Sequence, residues 1–157
     1  MTKKLFALIC ILALLASISG SALAETQTQK RFYEALDLLA QGDYPGAKSI
    51  FSELGAYPDA VKYVMYIGAL EKAEAGLFSL AIQDMNALGD FEDSELRVKY
   101  YKARQWEEDE EYEIAKNNYL SIPGYLDSTA RIIAIPVKIN IRDYAKADDL
   151  VVNKINI

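Results

Sequence analysis

The side chains best suited to chemistry in this chain are carboxylates. Glu107-Glu-Asp-Glu-Glu111, with Glu113, is the densest run of charge. Clustered acids could hold a calcium ion, because hard cations take carboxylate oxygens. The run lacks the Asp-x-Asp-x-Asp-Gly spacing of a calcium loop, so it reads as a solvated helix end and turn. A facing pair of acids could hydrolyse a glycoside. With 23 acidic residues, however, some pair always falls near the required distance. Histidine is absent, and Cys10 is the only cysteine. No Ser-His-Asp or Cys-His nucleophile system can be assembled from such a chain. There is no Gly-rich phosphate loop either. The expectation is a non-catalytic protein without a cofactor or metal.

Tyrosine and arginine remain. The chain has 11 tyrosines and a net charge of −6. That balance lacks the basic footprint of a nucleic-acid binder, so no nucleic acid is expected as partner. Tyr and Arg are the side chains enriched at binding hot spots. Where they fall depends on the elements that carry them.

The first element is a leader. Met1-Thr-Lys-Lys4 is followed by an apolar run from Leu5 to about Ile18, then Ser19-Gly-Ser-Ala-Leu-Ala24. A basic start, a short apolar stretch and an Ala-x-Ala ending fit a secretory signal peptide over residues 1–24. The run is shorter than the roughly 20 apolar residues of a membrane span. An uncleaved N-terminal anchor is the alternative. Cleavage removes Lys3, Lys4 and Cys10, leaving 15 basic and 23 acidic residues and no thiol. The expected location is exported: secreted, periplasmic or attached to the cell envelope, with no membrane contact after cleavage.

The remainder repeats itself at a period of 34. Phe32, Tyr66 and Tyr100 coincide, as do Ala35, Ala69 and Ala103. Tyr44, Phe78 and Tyr112 follow, then Ala47, Ala81 and Ala115, then Phe51, Met85 and Tyr119. Each copy closes on Tyr57, Phe91 or Tyr125 and on Asp59, Asp93 or Asp127. Within the first copy, Phe32, Ala35, Leu36 and Leu39 make a helical apolar stripe, Gly42 interrupts it, and Tyr44 to Leu54 make a second. Each copy is therefore two short antiparallel helices. The closing Asp residues are expected as N-caps of the next helix. One copy cannot bury its apolar faces alone, but stacked copies can.

A small residue, Gly-x-aromatic, Ala, aromatic and Leu at a 34-residue period resemble the tetratricopeptide repeat, over about residues 28–129. The chain departs from that pattern where Asp59, Asp93 and Asp127 replace the closing proline and Glu110 replaces the turn glycine. The Leu-Gly-x-aromatic-x-Asp connector, as in Leu54–Asp59, is similar to a variant of bacterial repeat proteins. The resemblance implies an all-α fold: a right-handed α-solenoid of three helix-turn-helix repeats with a partial C-terminal cap. Residues 25–135 would form the repeat domain, with 128–135 as capping helix. Pro136 should break or kink that helix. Residues 136–157 are then expected as a degenerate fourth repeat or irregular tail, with Val137–Ile141 extended or a weak helix from about Asp143.

In tetratricopeptide-like folds the first helix of each pair lines a concave groove. The residues that this resemblance places there are Tyr63, Tyr66, Arg97, Tyr100, Arg104 and Arg131, a short aromatic strip edged by guanidinium groups. The family's carboxylate-clamp ligand is not carried over, because the required Asn is missing. The expected function is an exported scaffold that binds a peptide or protein segment in that groove. A cell-wall adaptor binding glycan is the second reading, and an enzyme the third.

Overall fold

The computed structural model describes residues 26–155, with side chains through residue 147. The expected leader, residues 1–24, lies outside the described residues. Among the described residues there are seven helices and no strand. They are α1 (26–40), α2 (Tyr44–Leu54), α3 (Ala60–Glu74), α4 (Phe78–Leu88), α5 (Ser94–Glu108), α6 (Tyr112–Leu120) and α7 (Ser128–Ile155). The chain is all-α. It divides into two compact units, Met1–Ile67 and Gly68–Ile157, and the division falls within α3.

The helix starts keep the sequence period. Tyr44, Phe78 and Tyr112 open α2, α4 and α6, while Ala60, Ser94 and Ser128 open α3, α5 and α7. The turns before α2 and α4 use Gly42 at φ 80° and Gly76 at φ 75°. Left-handed backbone suits glycine, which has no Cβ to collide. In the third copy Glu110 holds the same conformation at φ 60°. For a residue with a side chain that costs about 1–2 kcal/mol.

The aligned small residues are close-packing positions. Ala35, Ala69 and Ala103 are fully buried, and so are Ala47, Ala81 and Ala115. Phe51, Met85 and Tyr119, one helical turn beyond the second set, are also fully buried. In the first unit the core is aromatic. Tyr63 stacks on Phe51 at 4.6 Å and 9°, and Phe32 meets both rings edge-on. In the second unit α5 packs on α4 and α6, and α6 packs on α7.

Two expectations need correction. The first concerns the closing Asp residues. Their carbonyls do accept the first bond of the following helix, from Tyr63, Arg97 and Arg131 N–H. The Asp93 side chain, however, makes no cap bond. Its carboxylate accepts from Arg97 and Tyr125 instead. The side chain that does cap is Asp43, whose Oδ1 accepts from Gly46 N–H at 3.0 Å.

The second correction concerns Pro136, which lies inside α7 and does not end it. Residues 136–155 are a continuation of the 128–135 helix, not an irregular tail. Proline removes one backbone donor, so the Ile132 carbonyl loses its usual partner. Packing holds the helix on both sides of the gap. Arg131, Ile135, Lys138 and Arg142, spaced four, three and four apart, fall on one helical face. Arg131 and Lys138 bond Glu107, Arg142 bonds the Glu110 carbonyl, and Ile135 is fully buried. Pro136 itself is exposed. No helix among the described residues is long and apolar enough to cross a membrane.

Candidate functional site

The residues expected in a groove are spread over both units. Tyr63, Tyr66 and Tyr100 are buried, so their rings are packing elements and do not form an open strip. Tyr66 and Tyr100 share one repeat position with Phe32, on the inward stripe of the first helices, which is why an aromatic recurs there; the position of Tyr63 carries Arg97 one period later. The three arginines lie in the second unit, and each has a partner inside it. Arg97 Nε donates to Asp93 Oδ1 at 2.8 Å, and its Nη1 donates to Tyr101 Oη at 3.3 Å. Arg104 lies 5.1 Å from the centre of the Phe78 ring and 3.7 Å from Glu108. Arg131 Nε donates to both Asp127 oxygens, at 3.0 and 2.9 Å.

One polar pattern is repeated. An Asp closes the connector, an Arg four residues later grips it, and a tyrosine hydroxyl donates to it. Tyr125 donates to Asp93 and Tyr100 to Asp127, both at 2.5 Å. Burial pushes the Asp127 carboxyl upward, but the bonds from Tyr100 and Arg131, with the charges of Arg131 and Arg104, bring it below its ordinary range.

Glu107 is the centre of a second cluster, in the interior. Its carboxylate accepts from Lys138 Nζ at 2.5 Å, Tyr119 Oη at 2.7 Å and Arg131 Nη1 at 2.8 Å. Burial raises the Glu107 carboxyl, and these three hydrogen bonds together with the Arg131 charge outweigh it, so the group stays ionised below its usual range. Burial, and then the bond to Glu107, push the Tyr119 hydroxyl far upward, so it remains a donor. Burial opposes the Arg131 charge, yet its bonds to Asp127 and Glu107 leave that charge more firmly held than usual. Glu107 is thus the member of the acidic run that turns inward. Both of its oxygens are occupied in fixing α7 to α5 and α6.

That fixation shapes a cleft. A cavity of about 410 Å³ opens between the start of α6 and the middle of α7. Its lining is Glu110, Tyr112, Lys138, Ile141, Arg142, Ala145 and Lys146. Cleft sizes of this order are those of small-ligand sites. Three of the seven side chains are cations in a chain of net −6, and one is an acid. Lys138, Arg142 and Lys146 recur every four residues and so share one helix face. Arg142 is held rigidly: its guanidinium lies 5.4 Å from the centre of the Tyr112 ring, its Nη1 donates to the Glu110 carbonyl at 3.0 Å, and Asp143 accepts from Nε and Nη2. The left-handed Glu110 aims that carbonyl at the guanidinium. The cleft can hold an anionic group beside an apolar wall made by Ile141 and Ala145.

Lys138, Arg142 and Lys146 follow Pro136, where the sequence predicts a break or kink and at most a weak helix from about Asp143 to Val152, so their shared face does not emerge from that expectation. The signal was present. Arg131, Ile135, Lys138 and Arg142 keep a helical spacing straight across the proline. Compared with models of protein families, with curated proteins and with solved structures, the chain matches none.

Proposed function

We propose that the chain is an exported, non-catalytic scaffold of tetratricopeptide-like repeats that binds an acidic segment of another protein. Support for the repeat architecture comes from helix starts that recur every 34 residues and from full burial of the aligned alanines. The observation that carries the binding function is the cationic cleft between α6 and α7. Arg presents a planar fork that matches a carboxylate, and Lys adds a mobile charge. The Tyr112 ring supplies apolar contact for the rest of a peptide. Carboxylates engage the concave-groove arginines, through Asp93, Glu108, Asp127 and Glu107, and they also engage Lys138 and Arg142 of the cleft, through Glu107 and Asp143, so Lys146 is the cation that carries the difference.

Calorimetric titration of the full chain with an end-blocked peptide rich in Glu and Asp tests this, against the same peptide carrying Gln and Asn. Only the acidic peptide should bind, and added salt should weaken it. The Lys146→Gln variant should lower affinity several-fold while leaving the melt unchanged. Equal binding of both peptides would contradict an anionic site. Binding of soluble cell-wall glycan, with neither peptide bound, would favour the glycan adaptor.

A further inference from the structure

Among the described residues α7 packs through one face, and the opposite face, which borders the cleft at Ile141 and Ala145, is exposed. The outer face carries Ile133, Val137, Ile141 and Tyr144, which are 71, 59, 64 and 79% exposed. Ala130, Ala134 and Ala145 are exposed as well. At 3.6 residues per turn, these seven residues fall within about a third of the helix circumference. No charged residue between 130 and 147 enters that arc. One period earlier, Val137 corresponds to Ala103 and Ile141 to Glu107, and both of those are buried. Ile133 and Tyr144, by contrast, correspond to Lys99 and Glu110, which are exposed, so the preceding copy covers only part of this face.

Four big apolar side chains, each more than half exposed, present on the order of 500 Å², in the upper part of the range for the largest apolar patch of a monomer, about 300–600 Å², and such patches often mark interfaces. A standard interface buries about 800 Å² per partner. The four side chains and the alanines beside them supply most of that.

We propose that a second copy of this chain covers this face, as an antiparallel α7–α7 pair. The residues match themselves in that arrangement. Setting Val137 against the partner's Ile141 brings Ala134 against the partner's Tyr144 and Ile133 against the partner's Ala145. At the flanks large side chains meet small ones, which is how facing layers interdigitate, and at the centre Val137 meets Ile141. A two-fold axis repeats every contact and closes the assembly. Lys138 and Arg142 lie outside this arc, on the side bonded to Glu107 and Glu110, so like charges do not meet across the seam.

Sedimentation of the full chain from micromolar to millimolar concentration tests the pairing. The wild type should show a reversible monomer–dimer equilibrium. Val137→Asp places a carboxylate on each side of the seam and should shift the midpoint tenfold or more, about 1.4 kcal/mol. Tyr144→Asp, at the most exposed position of the stripe, should act alike and provides an independent reading. Ala134→Tyr should weaken the dimer by opposing two rings, and adding Tyr144→Ala should restore it. A chain that is monomeric throughout overturns the proposal. So does an association that survives both Asp variants, as one driven by the N-terminal apolar segment would. A swap that fails to restore the dimer overturns the antiparallel register.

Discussion

Glu107→Gln removes one charge and almost no volume. The amide oxygen can still accept from Tyr119, but Arg131 and Lys138 lose their buried counter-charge. The Glu107 side chain is 5% exposed, while those of Arg131 and Lys138 are 23% and 43% exposed. Breaking a fully buried pair costs about 3–5 kcal/mol. Both cations reach partial solvent, and Arg131 keeps Asp127, so we expect about 2–3 kcal/mol. For a domain of this size that lowers Tm by roughly 5–15 °C. The pH dependence gives a second check. The Glu107 carboxyl titrates below its ordinary value in the fold, so its stabilisation is fully present above the unfolded value of 4.5 and is lost as pH falls through the folded one. The gap between wild type and variant should therefore be widest near neutrality and shrink in acid. Denaturant unfolding at a series of pH values measures it. A gap below about 0.5 kcal/mol at neutral pH, or one that stays constant into acid, refutes the claim that this carboxylate fixes α7.

Three further outcomes follow from the packing. Ala81→Leu should cost about 1–3 kcal/mol in a thermal melt, because Ala81 is fully buried and a branched side chain overpacks the site. Ser94 and Ser128 occupy the same buried position in successive copies, yet Ser128 Oγ donates to the Ile122 carbonyl at 2.8 Å while Ser94 Oγ has no partner. Ser128→Ala should therefore destabilise by about 1 kcal/mol, whereas Ser94→Ala should be neutral or stabilising, as read from chemical denaturation. Glu110→Gly should raise the melt by up to about 1 kcal/mol, by relieving left-handed strain at a position where the other copies carry glycine.

The repeat was legible because its markers are local. Recurrent Ala at close contacts and Gly at left-handed turns depend on one helix pair at a time. Partners far apart in sequence were not legible. Glu107 stands among five consecutive acids; the repeat register places it two periods after Leu39 of the apolar stripe, but its partners are not in the register. Its cations come from 24 and 31 residues further on. Asp93 and Asp127 looked like caps because their position is that of a cap. Their carboxylates are drawn away by tyrosines 32 and 27 residues distant, which no local rule contains. The tyrosines of the expected groove were a matter of degree, since their residue type suits a core and a binding face equally. Pro136 misled for a physical reason. Its cost in an isolated helix is real, but side-chain anchors on both sides of it hold the helix together.

The most direct measurement is an NMR titration of the labelled full chain with the acidic peptide. The account expects the largest shift changes at Tyr112, Arg142 and Lys146, with the amides around Tyr63, Tyr66, Arg97 and Arg104 unchanged. Changes confined to those last four would restore the concave groove as the binding surface and contradict the cleft between α6 and α7.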